Sequence, residues 1–573
     1  MNEKNSLFEI PLVKTLAVAI MAATLSACLS GGGGGSSSAP PPTGDPTTED
    51  PADGDDGSSP SPDPETPVDP LAVDTAQGEV IGIELMGMRV FRGIPYAGQP
   101  QRFAAPEPPA VRTEPLQLST AFGLPCAQPG GTFGQLNYNE DCLNLNIYAP
   151  TAPGTYPVMV WIHGGSLTTG SGGASYEPAQ LVEKGVVVVT INYRLGALGF
   201  LPHVSLADAE GAYGNYGLMD QQESLRWIQD NISGFGGDPT NVTIFGESAG
   251  GHSVLSLVAS PASSGLFHKA ISQSGSYNSA QLSLAAGQAT FGNPFVVATG
   301  CANALDVGRC LRELPVRTII ENQAGSYLPV HGGGILPRSI DAAFTANLPN
   351  AVPMILGSNQ DEGRLFVGIQ QLTSPTTEEN YLERVEALLI TDQNPFERAA
   401  IANAYLGRVV EQEVATADSA TRYPLALAAI QTDWRFNCPN ARQWVQLDQR
   451  DVPVWGYWFV DRTAPSIVPA DPGFSWGAAH AFEIQYVLAN RTTLVNRGAT
   501  EAQLELAERM ATYWTNFAKY GDPNETDGAA EAVRWDPYRE SRTVMALDPA
   551  AAYQTPASSF GRYHNCVYWD APL

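Results

Sequence analysis

Residues 241–252 read NVTIFGESAGGH and set Ser248 between two glycines, just beyond the apolar run Val242 to Phe245. A serine hydroxyl at its ordinary pKa is a weak nucleophile. It becomes a strong one when an imidazole takes its proton, a carboxylate orients that imidazole, and backbone N–H groups receive the developing oxyanion. Such a set transfers acyl groups and calls for no metal and no cofactor. The pattern G-x-S-x-G recurs at 473–477 as GFSWG, so the pattern does not choose between the two serines. Context does. Ser248 follows a strand-like run and precedes AGGHSVLSLVA, a helix whose N-terminus favours negative charge. Ser475 follows the proline-broken IVPADP and reads as a turn serine.

Elements must hold these groups in place, and the chain supplies them in alternation. Tyr156 to Ile162, Val186 to Tyr193, Val242 to Phe245, Val352 to Leu356 and Val452 to Val460 read as strands; Tyr216 to Asn231 and Glu501 to Lys519 read as helices. Short apolar runs alternating with helices imply a mostly parallel sheet in an α/β fold. A serine on a sharp strand-to-helix turn is the nucleophile elbow of such folds, and the chain order is then serine, acid, histidine. That order prunes the seven histidines. His163, His203, His252 and His268 come too early. His331 precedes the best acid, so His480 and His564 remain, and His564, two residues from a cysteine, has the look of a structural group. For the acid, the strand ending at Leu356 opens into GSNQDEG, which offers both Asp361 and Glu362 at a strand end. The oxyanion loop is the stretch after the first strong strand, His163-Gly164-Gly165-Ser166; the later HGGG at 331–334 reads as a flexible turn.

The chain has 573 residues, 43% of them hydrophobic, and a net charge of −28. That charge excludes a nucleic-acid partner, because counterion release needs Lys and Arg facing phosphates. Residues 1–28 read as an export signal, with an apolar core from Thr15 to Ala27 and a lipobox-like Leu25-Ser26-Ala27-Cys28 that makes Cys28 the expected lipid acceptor. Glu3 and Glu9 offset Lys4 and Lys14, so the leader lacks its usual positive excess. Residues 29–70 carry nine acids and no Lys or Arg among Gly, Ser and Pro, the composition of a disordered spacer. Residues 71–573 read as one catalytic domain. The chain is thus expected to be exported and held by lipid at a bacterial outer membrane.

Blocks along nearly the whole domain resemble the type-B carboxylesterase family: FRGIPYA (91–97), EDCLNLNIYAP (140–150), INYRLGALGFL (191–201), FGGDPTNVTIFGESAGG (235–251), HAFEIQYV (480–487) and YWTNFAKYGDPN (513–524). The resemblance implies an α/β-hydrolase fold, with a large mostly parallel sheet flanked by helices and helical insertions between acid and histidine. It implies a Ser248, Glu362, His480 triad, with Glu362 rather than Asp361 as the acid, and oxyanion donors at Gly165, Ser166 and Ala249. It places Glu247 beside the nucleophile and Ser274 behind the catalytic acid, and it pairs Arg102 with Glu140 and Arg194 with Asp220. It pairs Cys126 with Cys142, Cys301 with Cys310 and Cys438 with Cys566. The implied activity is hydrolysis of small carboxylic esters. The family also holds non-catalytic neuroligin-type binding modules, which have no physical need for all three groups. Two departures bear on substrate: Ser166 stands where a third glycine is usual, and the loop between Cys126 and Cys142 contains no tryptophan. Choline esters would therefore lack their best cation–π partner. Arg364-Leu365-Phe366 is expected to form a largely apolar rim, and QAGSYL before Pro329 to leave room for acyl groups larger than acetyl.

Overall fold

A strand that is apolar along its whole length must be covered on both faces. Val187–Ile191 (VVVTI) obeys that demand, with every residue buried. It belongs to an eleven-stranded sheet in the computed structural model, which describes residues 69–131, 134–209, 211–389, 397–413, 420–524 and 533–569. The leader with Cys28, and all but the last two residues of the expected spacer, lie outside the described residues.

The strands are β1 Ile83–Leu85, β2 Met88–Pro95, β3 Asn144–Pro150, β4 Tyr156–Ile162, β5 Val187–Ile191, β6 Gly237–Glu247, β7 Lys269–Gln273, β8 Met354–Asn359, β9 Val454–Phe459, β10 Thr543–Leu547 and β11 Tyr553–Pro556. Across the sheet they run β11-β10-β9-β8-β7-β6-β4-β5-β3-β2-β1. The seven strands from β10 to β5 are parallel to their neighbours. Antiparallel strands close both ends, β3, β2 and β1 at one and β11 at the other. This is the large, mostly parallel sheet of an α/β-hydrolase fold.

Successive side chains of a strand leave opposite faces, and β4 shows where the two cores lie. Val158, Val160 and Ile162 enter one cluster, while Met159 and Trp161 enter another on the opposite face. The labelled helices are α1 Tyr216–Asn231, α2 Ala249–Val258, α3 Gly363–Gln371, α4 Glu378–Leu388, α5 Arg398–Glu413, α6 Arg422–Thr432, α7 Cys438–Asp448 and α8 Glu501–Tyr520. Helix α8 is fixed at both ends by its sequence. Thr500 and Gln503 form a reciprocal capping box, and Gly521 ends the helix in the left-handed conformation. From its buried face, Trp514 donates its indole N–H to Gln273 Oε1 at the end of β7. Helices α3 to α7 lie between Glu362 and His480, where helical insertions were expected, and α4, α5 and α6 share a third core. Among the described residues no helix is long and apolar enough to cross a membrane.

All three expected disulfides are formed, joining Cys126 to Cys142, Cys301 to Cys310 and Cys438 to Cys566. Both expected ion pairs are also present, Arg102 with Glu140 and Arg194 with Asp220. The HGGG stretch, read as a flexible turn, begins on a short strand at His331 and continues as bends at its three glycines. Val330–His331 pairs in parallel with Leu282–Ser283, because the backbone there finds a second short strand to bond.

Candidate active site

Four adjacent parallel strands and the one beside them end at the same edge of the sheet, where α/β folds collect ligands. Ser248 follows β6, Ser274 follows β7, Glu362 follows β8, His480 follows β9, and the His163-Gly164-Gly165-Ser166 loop follows β4. Proximity across the sheet thus brings together residues more than 300 positions apart in sequence.

Ser248 adopts φ 55°, ψ −120°, a backbone region that residues with a Cβ avoid. Two hydrogen bonds hold it there: Ser248 N–H donates to Gln273 O at 2.9 Å, and His252 N–H donates to Ser248 O at 2.8 Å. The flanking glycines answer a different need. A Cβ on Gly250 would stand 1.9 Å from Ile162 O, and one on Gly246 would stand 2.6 Å from the same oxygen. The small residues let the first turn of α2 press against the end of β4, which keeps Ser248 at the top of the sheet.

The imidazole of His480 is buried, and its Nδ1–H donates to Glu362 Oε2 at 2.5 Å. The other oxygen of Glu362 accepts the Ser274 hydroxyl at 2.6 Å and the Asn359 N–H at 2.7 Å. Three donors converge on one fully buried carboxylate, so it is held rigidly and the ring it orients is held with it. Asp361, the alternative acid, turns the other way and pairs with Arg364 and Arg462. Arg364 is therefore buried against Asp361 rather than standing on a rim, while Phe366 does reach the site, 4.9 Å from the His480 ring.

His480 Nε2 has no hydrogen-bond partner; it lies 3.1 Å from Glu247 Oε1 without hydrogen-bond alignment, and no hydrogen bond joins it to Ser248. Burial opposes a charged imidazole, but the negative charges of Glu247, Glu362 and Glu483 together outweigh it and lift His480 to about 9. Glu247 is pushed well above the usual carboxylate range, first by burial and then by its acidic neighbours, with His480 opposing. Glu483 is raised to about 6, again chiefly by burial, although Asn359 and Gln273 donate hydrogen bonds to it.

Gly165, Ser166 and Leu167 all have positive φ, at 108°, 58° and 57°. This folds the loop so that Thr168 and Thr169 N–H groups bond back to Gly165 O. The N–H groups of Gly165, Ser166 and Ala249 donate to no acceptor among the described residues. Ala249 opens α2, so its amide has no intrahelical partner either. These three amides without acceptors lie in the loop after β4 and at the first residue after the half-buried Ser248.

His564 forms a second, fully buried histidine–carboxylate pair with Asp433 at 2.6 Å, joined by Asn437. Tyr405 and Arg408 complete the coordination of Asp433, so that assembly is structural, as its place beside Cys566 implied. Ser475 lies in a loop whose carbonyl accepts from Arg364. Sequence reasoning gave no role to Glu483, although it lies three residues after His480 inside a quoted block. It also passed over Tyr277, beside Ser248, and Phe436, whose ring centroid is 4.9 Å from that of His480. No local pattern marks these two.

The Carboxylesterase family model matches residues 69–569. The chain is 34% identical to the para-nitrobenzyl esterase of Bacillus subtilis (strain 168), over 83% of this chain and 94% of the relative. It is 33% identical to carboxylesterase 1C of Rattus norvegicus, over 80% and 87%, and 32% identical to liver carboxylesterase 1 of Oryctolagus cuniculus, over 85% and 91%. With the family's sheet, elbow and disulfide-bonded frame already in view, these likenesses settle its kinship: the chain belongs to the carboxylesterase family.

Proposed function

We propose that this protein is a serine carboxylic-ester hydrolase working through Ser248, His480 and Glu362. The observation that carries the reading is the Glu362-held imidazole of His480, carried at the same sheet edge as a serine on a strained elbow. His480 Nε2 takes the Ser248 proton as Oγ attacks the ester carbonyl carbon. Negative charge then collects on the carbonyl oxygen, opposite the Gly165, Ser166 and Ala249 amides. The resulting imidazolium gives its proton to the departing alkoxide, leaving an acyl-serine. Water, deprotonated by the same nitrogen, attacks the acyl carbon and frees the acid. This relay requires Ser248 Oγ to turn toward Nε2 when substrate arrives, a tightening common on passing from free enzyme to complex.

Membership of a family whose relatives are named for ester hydrolysis supports the reaction class. The tryptophan-free loop between Cys126 and Cys142 supports uncharged alcohols over choline. With para-nitrophenyl butyrate the expected result is a burst of nitrophenol followed by turnover, and neither in Ser248→Ala. Absence of turnover by the unaltered protein across acyl lengths from two to twelve carbons would favour a binding module instead. The catalytic domain is proposed to work tethered, through lipid on Cys28 and the acidic spacer, at a bacterial outer membrane.

A further inference from the structure

Arginines inside this protein have acidic partners: Arg92 meets Glu177, Arg194 meets Asp220, Arg364 meets Asp361 and Arg408 meets Asp433. Arg435 does not. Among the described residues it has no carboxylate within ion-pair distance and no hydrogen bond, only two aromatic faces. Its guanidinium carbon lies 5.2 Å from the centroid of Tyr277 and 5.9 Å from that of Phe436. Its Nε is shut away from solvent without an acceptor, while the residue as a whole is half-buried, so the outer fork of the guanidinium is the open part. Burial lowers its pKa, with Tyr277 opposing, yet a guanidinium in a protein stays cationic.

A partly desolvated cation with no partner is costly to keep. The two rings that hold it both face the reaction. Phe436 packs against the His480 ring, and Tyr277 lies beside Ser248. His252, stacked under Tyr277, is held down to about 4, chiefly by burial, and so adds no competing positive charge. Arg435 also occupies the π-helical turn Asp433–Asn437, an irregularity that often marks functional positions. The protein as a whole carries −28 and repels anions. Salt screens that repulsion beyond about 8–10 Å, so an anionic group that reaches Tyr277 and Phe436 meets the open guanidinium at close range, against the buried negative charge of Glu247, Glu362 and Glu483 around His480.

Resting on the ester-hydrolase reading above, we propose that Arg435 is a substrate-binding residue that selects esters bearing a carboxylate on the half that extends past the packed pair of Tyr277 and Phe436. The planar fork suits a carboxylate, two parallel N–H donors to two oxygens, better than it suits a neutral group. The carboxylate can sit on the acid half, as in a half-ester of a dicarboxylic acid, or on the alcohol half, as in an ester of a hydroxy acid. The two are separable by experiment.

The test is kcat/KM by pH-stat on two matched pairs: monoethyl adipate with ethyl hexanoate, and 5-carboxypentyl butyrate with hexyl butyrate. The unaltered protein is expected to prefer the anionic member of one pair, and which pair responds assigns the half. Arg435→Gln should then lower kcat/KM for that member roughly 10- to 100-fold, mainly through KM. The neutral member should change by less than about threefold, which also reports that the variant is folded, and Arg435→Lys should recover part of the loss. Preference for the neutral member in both pairs, or equal losses on both members in Arg435→Gln, would overturn the assignment while leaving the hydrolase reading intact. Failure of the unaltered protein on all four esters while it turns over para-nitrophenyl butyrate would overturn the assignment alone, and failure on para-nitrophenyl butyrate as well would overturn both.

Discussion

His480 stands among three buried carboxylates, and its proton affinity follows from their charges rather than from its own burial. In the proposed relay His480 is the general base and acts only when deprotonated, so lifting it above the ordinary histidine value moves the acid limb of kcat/KM to higher pH. Activity should therefore still be rising above pH 7 and level off near pH 9. Glu247 is the strongest of the neighbours that raise His480, so Glu247→Gln should move that limb to lower pH, with kcat/KM against pH as the measurement. An unmoved limb would mean that Glu247 is already protonated while His480 titrates. Glu362 does a different task, because it fixes which ring nitrogen carries the proton. Glu362→Gln keeps the shape but can present its amide to Nδ1, and the wrong tautomer should lower kcat roughly 10⁴-fold. Circular dichroism should stay unchanged, since Ser274 and Asn359 keep a hydrogen-bonding partner. The geometry at this scale was legible in part. Ser248, Glu362 and His480 carry motif and order, whereas Glu483, Tyr277 and Phe436 reach the site through tertiary packing that leaves no periodic trace.

The elbow shows how an element, rather than a side chain alone, fixes the backbone of Ser248. Its glycines are required by the contact between the start of α2 and the end of β4, not by their own dihedral angles. Gly250→Ala forces a methyl group into Ile162 O. Moving α2 away would release the Ser248 backbone and part the Ala249 amide from the Gly165 and Ser166 donors. The expected outcome is destabilisation of about 3 kcal/mol or more, seen as a lower guanidinium midpoint, together with loss of ester turnover in whatever fraction folds. Of the parallel strands, β4, β5, β6, β8 and β9 were readable because burial on both faces leaves continuous apolar text, whereas β7, KAISQ, was missed because Lys, Ser and Gln interrupt it; β4 and α1 were bounded to the residue. The outer strands were not foreseen. β2, β3, β10 and β11 pair antiparallel or at an edge, mix polar with apolar residues, and take their identity from neighbours far along the chain. The π-helical turn that carries Arg435 was equally silent, because its residues continue the helical spacing of α6 into α7.

At the scale of the whole molecule, one covalent link ties the helical insertion to the C-terminal end of the described residues. The bridge between Cys438 and Cys566 spans 128 residues, so it joins the start of α7, and through it the network of Asp433 and His564, to the end of the described chain. Replacing both cysteines by serine should cost about 2–5 kcal/mol. Activity at 25 °C should change little, because neither cysteine touches the triad, and the loss should appear in thermal inactivation. The other end of the chain poses the larger question. If lipid on Cys28 is the anchor, Cys28→Ala expressed in a bacterial host should pass from the membrane fraction to the soluble one, with kcat/KM on para-nitrophenyl butyrate unchanged within about twofold. Retention of the variant in membranes would locate the anchor elsewhere. A parallel fall in turnover would mean instead that the tether takes part in presenting substrate, since nothing in the described site depends on residues before Asp69.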